Sequence, residues 1–196
     1  SNKETQDLYE KWYVSYDDEL KSNNYSTPKR CAKVLKKYLT DSNSHILDIG
    51  CGTGLSGQEI LNVGFKNVDG TDFSDKMLYE AKNKNIYKRL FNLDLNSNFY
   101  NVNFNYNAIV AAGIISPHHA NPSCLEKCLN ILCDSGLLIF SLNDHAAENK
   151  NFMDEIFMIV DKNFEILEKT YGDHLPGIKL NSFVYVIKKL KIKKYC

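Results

Sequence analysis

The chain has 196 residues, enough for one domain with a proper core, and 43% hydrophobic against 24% charged residues is a globular profile. Lys+Arg and Asp+Glu are both 24, so no global field favours nucleic acid or a membrane surface. No apolar run approaches the ~20 residues of a bilayer span, and the opening SNKETQDLYE lacks the basic-then-apolar order of a signal peptide. The six cysteines contain no CxxC spacing, which argues against zinc and for a reduced, cytoplasmic chain without a metal site. Cys124 and Cys128, four apart, read as small hydrophobes on one helix face.

In chain order, Leu8, Trp12 and Tyr16 recur every four residues beside Tyr9 and Tyr13, an aromatic helix face. Thr27-Pro28 is a cap followed by proline and opens a helix to about Leu39. Residues 1–40 are therefore expected to form a helical cap or lid, and 41–196 the main domain. His45–Ile49 predicts a buried strand, then a glycine loop and a helix over Leu55–Val63. Asn67–Thr71 predicts a second strand closed by Asp72, and Ser74 caps a helix to about Lys84 with Met77, Leu78 and Ala81 inward. A third strand lies within Tyr87–Leu95, and Ala108–Ala112 is a wholly apolar fourth. Asn121-Pro122 starts a helix to about Leu132, Asp134-Ser135-Gly136 is a turn, and Leu137–Leu142 is a fifth strand. A helix near Phe152–Val160 and strands at Phe164–Thr170 and Phe183–Lys189 finish the pattern. Such alternation predicts a doubly wound α/β domain, mostly parallel, with an antiparallel hairpin at one edge.

The chemistry sits after the first strand, in HILDIGCGTGLSGQEIL. Ligands of open α/β sheets bind beyond the carboxyl ends of the strands. Glycines there permit left-handed dihedrals and a bare approach to the backbone. The following helix presents free N–H groups to a negative ligand group. A tight turn alone would need one glycine, so Gly50, Gly52 and Gly54 together point to a ligand. The spacing is neither GxGxxG nor a phosphate-binding loop ending in GK[ST]. Asp72 follows Asp48 by 72 − 48 = 24 positions, at the end of the next strand, where a carboxylate can accept both hydroxyls of a ribose.

These residues resemble the class I S-adenosylmethionine-dependent methyltransferases. The likeness rests on ILDIGCGTG at 46–54, VDGTDFSDKMLYEAK at 68–82, LDL at 93–95, NAIVAAG at 107–113 and DSGLLIFS at 134–141. A closer likeness is to the methyltransferase-like family of the Williams–Beuren syndrome critical region, through KWYVSYDDEL at 11–20, NYSTPKR at 24–30, NIYKRL at 85–90 and NSFVYVIKK at 181–189. The resemblance implies a seven-stranded sheet and S-adenosyl-L-methionine as cofactor, with S-adenosyl-L-homocysteine as product. It implies Gly50, Cys51, Gly52 and Gly54 along the methionyl part, Asp48 near its amino group, and Asp72 on the ribose. Phe73 and Met77 would pack the adenine, Asp94 and Leu95 would meet its edge, and Ala112 and Gly113 would border the sulfonium. Asp134-Ser135-Gly136 departs from the Pro-Gly-Gly turn of many relatives.

Tyr16 and Tyr25 are the lid aromatics expected to touch ligand, since ring faces suit a sulfonium. His118 and His119, in the SPHHANPS loop, are candidate proton acceptors, and at most one can serve because neighbours in a loop point apart. His145 and His174 are weaker candidates at the same end of the sheet. The short cap favours a small-molecule acceptor over DNA or RNA and leaves a protein side chain open. The competing readings are a non-catalytic binder of the cofactor and a nucleotide-cofactor oxidoreductase. The lysine-rich tail KKLKIKKYC reads as an edge strand with solvated charges.

Overall fold

A computed structural model describes residues 17–97, 99 and 105–190. The aromatic run around Leu8–Tyr16 and the tail at 191–196 lie outside the described residues. After a helical segment at 17–22, the elements alternate: α1 (Thr27–Tyr38), β1 (His45–Ile49), α2 (Leu55–Asn62), β2 (Asn67–Asp72), α3 (Asp75–Asn83), β3 (Leu90–Asn92), β4 (Tyr106–Ala111), α4 (Ser123–Leu129) and β5 (Leu132–Asn143). Two helices, α5 (Asp144–Glu148) and α6 (Lys150–Asn163), then lead to β6 (Phe164–Leu175) and β7 (Leu180–Lys189). The strands form one sheet in the order β3-β2-β1-β4-β5-β7-β6. β1 to β5 pair in parallel, while β7 runs antiparallel to both β5 and β6. The doubly wound sheet and its edge hairpin are as the alternation predicts.

Period-2 alternation decides which layer each strand residue enters. Leu47, Ile49, Ile109, Ala111, Leu138, Phe140, Leu142, Tyr185 and Ile187 face α4 and α6 through Cys124, Leu125, Cys128, Phe152, Ile156 and Val160. On the other face, Ile46, Val68, Ala108, Val110, Ile139, Val184 and Val186 pack on Cys31, Ala32 and Leu35 of α1 and Ile60 of α2. Cys124 and Cys128 are wholly buried, as small hydrophobes should be. α1, in the 1–40 segment, thus packs as a helix of the core layer.

Several local expectations are corrected. Ser26, not Thr27, is the N-cap of α1, and its hydroxyl donates to the Asn24 carbonyl while Thr27 is buried. The third strand is only Leu90–Asn92, because the chain before it is occupied in bringing Tyr87 back under the first loop. α4 stops at Leu129 rather than Leu132, since the Tyr106 N–H takes the Ile131 carbonyl and Leu132 already pairs with Tyr106. Asp134-Ser135-Gly136 is an irregularity inside β5, with Ser135 at φ 61°, so the strand begins five residues before the predicted Leu137. Helix α5 and the lengthening of β6 to Leu175 were not foreseen. β6, not β7, is the sheet edge, and Lys189 donates to the Leu129 and Leu132 carbonyls rather than being solvated. No helix among the described residues is long and apolar enough to cross a membrane.

Phe140, wholly buried, stacks on Tyr185 with ring centroids 4.9 Å apart. Phe140→Ala is expected to lower the unfolding free energy by about 3–5 kcal/mol, as lost transfer energy plus a cavity. Urea titration checks this, and a loss below about 1 kcal/mol would mean the layer does not depend on this ring.

Candidate active site

The sheet winds in opposite directions from β1 and β4, and the crevice at their carboxyl ends is where such sheets bind ligands. A cavity of about 420 Å³ opens there, a size that suits a small molecule. Its floor is the loop from Gly50 to Thr53. Gly50, Gly52 and Gly54 all have positive φ (63°, 55° and 98°), and Gly54 is the left-handed N-cap of α2. The loop conformation therefore requires glycine at three positions, not one, which corrects the inference that a turn alone would need only one. At Gly50 an added Cβ would lie 2.7 Å from Ile114, the protein's own side chain. Gly54 does not line the cavity; its Cβ would meet Ile86 and Tyr87 instead.

One wall is built by the end of β2. Asp72 is buried, and its two oxygens accept from the backbone N–H of Gly52 (2.9 Å) and Ser74 (3.0 Å). Burial pushes its carboxyl up, opposed by the N–H groups of Ser74, Gly52 and Phe73. Ser74 also caps α3 by accepting from Met77 N–H, as its position predicts. Phe73, Met77, Asp94 and Leu95 continue this wall, the Asp94 carboxylate accepting from Asn96 N–H at 2.8 Å.

Asp48 does not line the cavity but lies wholly buried beneath the loop. Ser56 and Tyr87 hydroxyls both donate to its Oδ2, at 2.5 and 2.6 Å, and Oδ1 has no partner among the described residues. Burial pushes its carboxyl up to about 6, against the pull of Ser56, Tyr87 and the Gly57 N–H. Cys51 is buried as well, and burial raises its thiol.

The opposite wall combines Ala112, Gly113 and Ile114 after β4 with Tyr25, His118, His119 and His174. A Cβ on Gly113 would fall 2.1 Å from the Tyr25 hydroxyl, so the absence of a side chain admits the ring. His118 and His119 both reach this wall, and burial, then His118, lowers the His119 imidazole. His145 sits in α5 away from the cavity, and His45 is exposed at the far end of β1. Tyr16 lies outside the described residues. Asn143 and Leu175 were missed by the sequence reading because they sit at the ends of β5 and β6, which run further than predicted. Above the loop, Asp17 accepts from Thr53 Oγ1 (2.5 Å) and Lys84 Nζ (2.7 Å), holding the 17–22 segment over the floor, where Leu20 lines the cavity. Among the described residues no group of three or more His, Cys, Asp or Glu is arranged to hold a metal ion.

Residues 46–136 match the family model described as methyltransferase domain, and the sheet order with its antiparallel edge is that of the Rossmann-like methyltransferase fold. The chain is 33% identical over 85 residues to human methyltransferase-like protein 27, covering 42% of this chain and 35% of that protein. It is 23% identical over 112 residues to a ribosomal protein L11 methyltransferase of Lachnospira eligens, covering 57% and 31% respectively. The chain thus spans about a third of the length of these curated relatives. Among solved structures, magnesium protoporphyrin IX methyltransferase of Synechocystis, with S-adenosyl-L-homocysteine bound, superposes at TM-score 0.72 and 14% identity over 96% of this chain and all of that one.

The buried Asp48 carboxyl gives a pH signature. Its folded pKa exceeds the unfolded value of about 3.9, so the folded state binds the extra proton and its contribution to stability declines as pH rises through about 6. Asp48→Asn has no such proton. Its melting temperature is expected to gain on the wild type as pH goes from 4 to 7, measured by calorimetric scans, and a constant difference would refute the raised carboxyl.

Proposed function

We propose that this chain is an S-adenosyl-L-methionine-dependent methyltransferase that methylates a small-molecule nucleophile and releases S-adenosyl-L-homocysteine. The observation that carries the reading is the buried Asp72 carboxylate at the cavity wall, facing the left-handed Gly50–Gly54 loop. Each carboxylate oxygen has two lone pairs. The N–H groups of Gly52 and Ser74 take one on each oxygen, the Phe73 N–H also acts on the group, and the remaining lone-pair capacity suits ribose hydroxyls. The first N–H groups of α2 favour the carboxylate of a methionyl group. Phe73 and Met77 offer apolar surface to a purine, and Asp94 with the Leu95 backbone would border its edge. Tyr25, Ala112 and Gly113 would lie by the sulfonium, where the Tyr25 ring suits a cation. Asp48 would act from beneath, holding Ser56 and Tyr87 so that the loop keeps its shape.

The cofactor, when bound, supplies a methyl group already activated by its sulfonium. What the chain's residues must do is hold donor and acceptor in line and exclude water. Such alignment can supply ~7–11 kcal/mol of a barrier. A cavity of about 420 Å³ and balanced charge support a compact acceptor rather than a nucleic acid.

Asp72→Ala is expected to weaken S-adenosyl-L-homocysteine binding by about 1–3 kcal/mol, through lost ribose hydrogen bonds and a looser loop. Titration calorimetry on the folded variant checks this, and unchanged affinity would remove Asp72 from the site. Turnover of a metabolite extract, followed as S-adenosyl-L-homocysteine release, tests catalysis itself. Tight cofactor binding with no release from any extract would leave a binding protein in place of the enzyme.

A further inference from the structure

Behind the Tyr25 wall a chain of hydrogen bonds runs from α1 through the hairpin to the cavity. Arg30 can only donate. Its Nη1 reaches Ser182 Oγ at 2.8 Å and the carbonyls of Gly172, Asp173 and Ser182, while Nη2 takes the Thr170 carbonyl. Ser182 Oγ lies 3.2 Å from Thr27 Oγ1, and Thr27 Oγ1 lies 2.7 Å from His174 Nδ1. Thr27 and Ser182 are wholly buried, and among the described residues neither hydroxyl has another side-chain or backbone partner.

A hydroxyl has one proton to give, so the direction of the chain follows from its first member. Ser182 accepts from Arg30 and donates to Thr27, and Thr27 donates to His174 Nδ1. The reverse direction would leave the Ser182 proton without an acceptor at a buried site, the costlier arrangement. Nδ1 is therefore an acceptor, and the neutral ring carries its proton on Nε2. His174 lines the cavity, its Cε1 lies 3.9 Å from where a Gly113 Cβ would sit, and the Tyr25 ring meets it edge-on at 5.2 Å between centroids. Nε2 has no protein partner among the described residues.

We propose that His174 recognises the methyl acceptor, presenting a fixed, neutral Nε2–H donor to a carboxylate oxygen of that molecule, with Thr27, Ser182 and Arg30 as positioning residues. The proposal rests on the methyltransferase reading and deepens it by naming the substrate class. His174 cannot serve as the proton acceptor for the reaction, since one ring nitrogen is engaged by Thr27 and the other already bears hydrogen. Burial first and the Arg30 charge second lower this imidazole to about 4, which keeps it neutral at working pH. The cationic start of the chain polarises each bond along it and strengthens the terminal N–H toward an anion. Asn143, at the same wall, has its Oδ1 fixed by Ala146 N–H, which leaves its amide N–H groups to donate. The Asp144 carboxylate is engaged by Tyr171 and by the Asn181 N–H, outside the cavity lining. This end of the cavity thus gains donors where the Asp72 end holds carboxylates.

Long-range proton–nitrogen NMR on the full chain reads the tautomer directly, without cofactor. His174 is expected as the Nε2–H form, retained in Thr27→Ser and lost to a mixture in Thr27→Val; an Nδ1–H form in the wild type would overturn the proposal. With S-adenosyl-L-homocysteine present, sodium benzoate and benzylamine serve as probes of matched shape and opposite charge. Benzoate should shift His174 Nε2 saturably and bind about tenfold more weakly to His174→Phe. Preference for benzylamine, or unchanged benzoate affinity in that variant, would also overturn it. Calorimetry of S-adenosyl-L-homocysteine binding reports separately on the methyltransferase reading, so the two failures are told apart.

Discussion

The site depends on one interaction, the Asp72 carboxylate gripping the backbone of a loop that belongs to a different strand. The loop after β1 is left-handed at three glycines, and nothing intrinsic to glycine holds such a conformation. The Gly52 N–H bonded to Asp72 ties the loop to the end of β2, while the Cys51 N–H takes the Thr71 carbonyl beside it. A loop that would otherwise sample many shapes is thereby presented in one, with the carboxylate that shapes it left on the cavity surface. Preorganisation of this kind lowers the ordering cost of any ligand that binds there.

Beneath and above the loop, two further groups constrain it. Asp48 binds Ser56 and Tyr87 from below, joining β1, the first turn of α2 and the segment before β3. Asp17 joins Thr53 and Lys84 from above. The lower group is wholly buried, so breaking it would expose a charge to an apolar core. The upper one is partly exposed, and its ion pair is of the kind that solvent weakens.

Much of this was legible in the residues. Apolar runs bounded by caps, prolines and glycines mark nearly every element, and the glycine loop with Asp72 marks the crevice. Errors gathered where partners distant in sequence decide the outcome. α4 ends early because β4 claims Ile131 and Leu132, and Asp134-Ser135-Gly136 falls within β5 because Leu132 and Leu137 on either side of it both pair with β4. Thr27 looked like a helix cap, since a threonine before proline usually is one, yet residues 147 and 155 positions away take its hydroxyl. His174 looked like one loop histidine among several, and its place at the cavity follows only from the length of β6.

The sequence by itself determined the winding of the sheet and the position of the crevice, because those follow from local periodicity and short-range turn chemistry. Tertiary structure alone decided which of the named carboxylates faces the cavity, since Asp48 and Asp72 both lie in the last two residues of neighbouring strands and only packing places one of them beneath the loop. It decided as well which histidine reaches the cavity wall beside Tyr25 and which hydroxyl meets its Nδ1, because Thr27 and His174 stand 147 positions apart in the sequence.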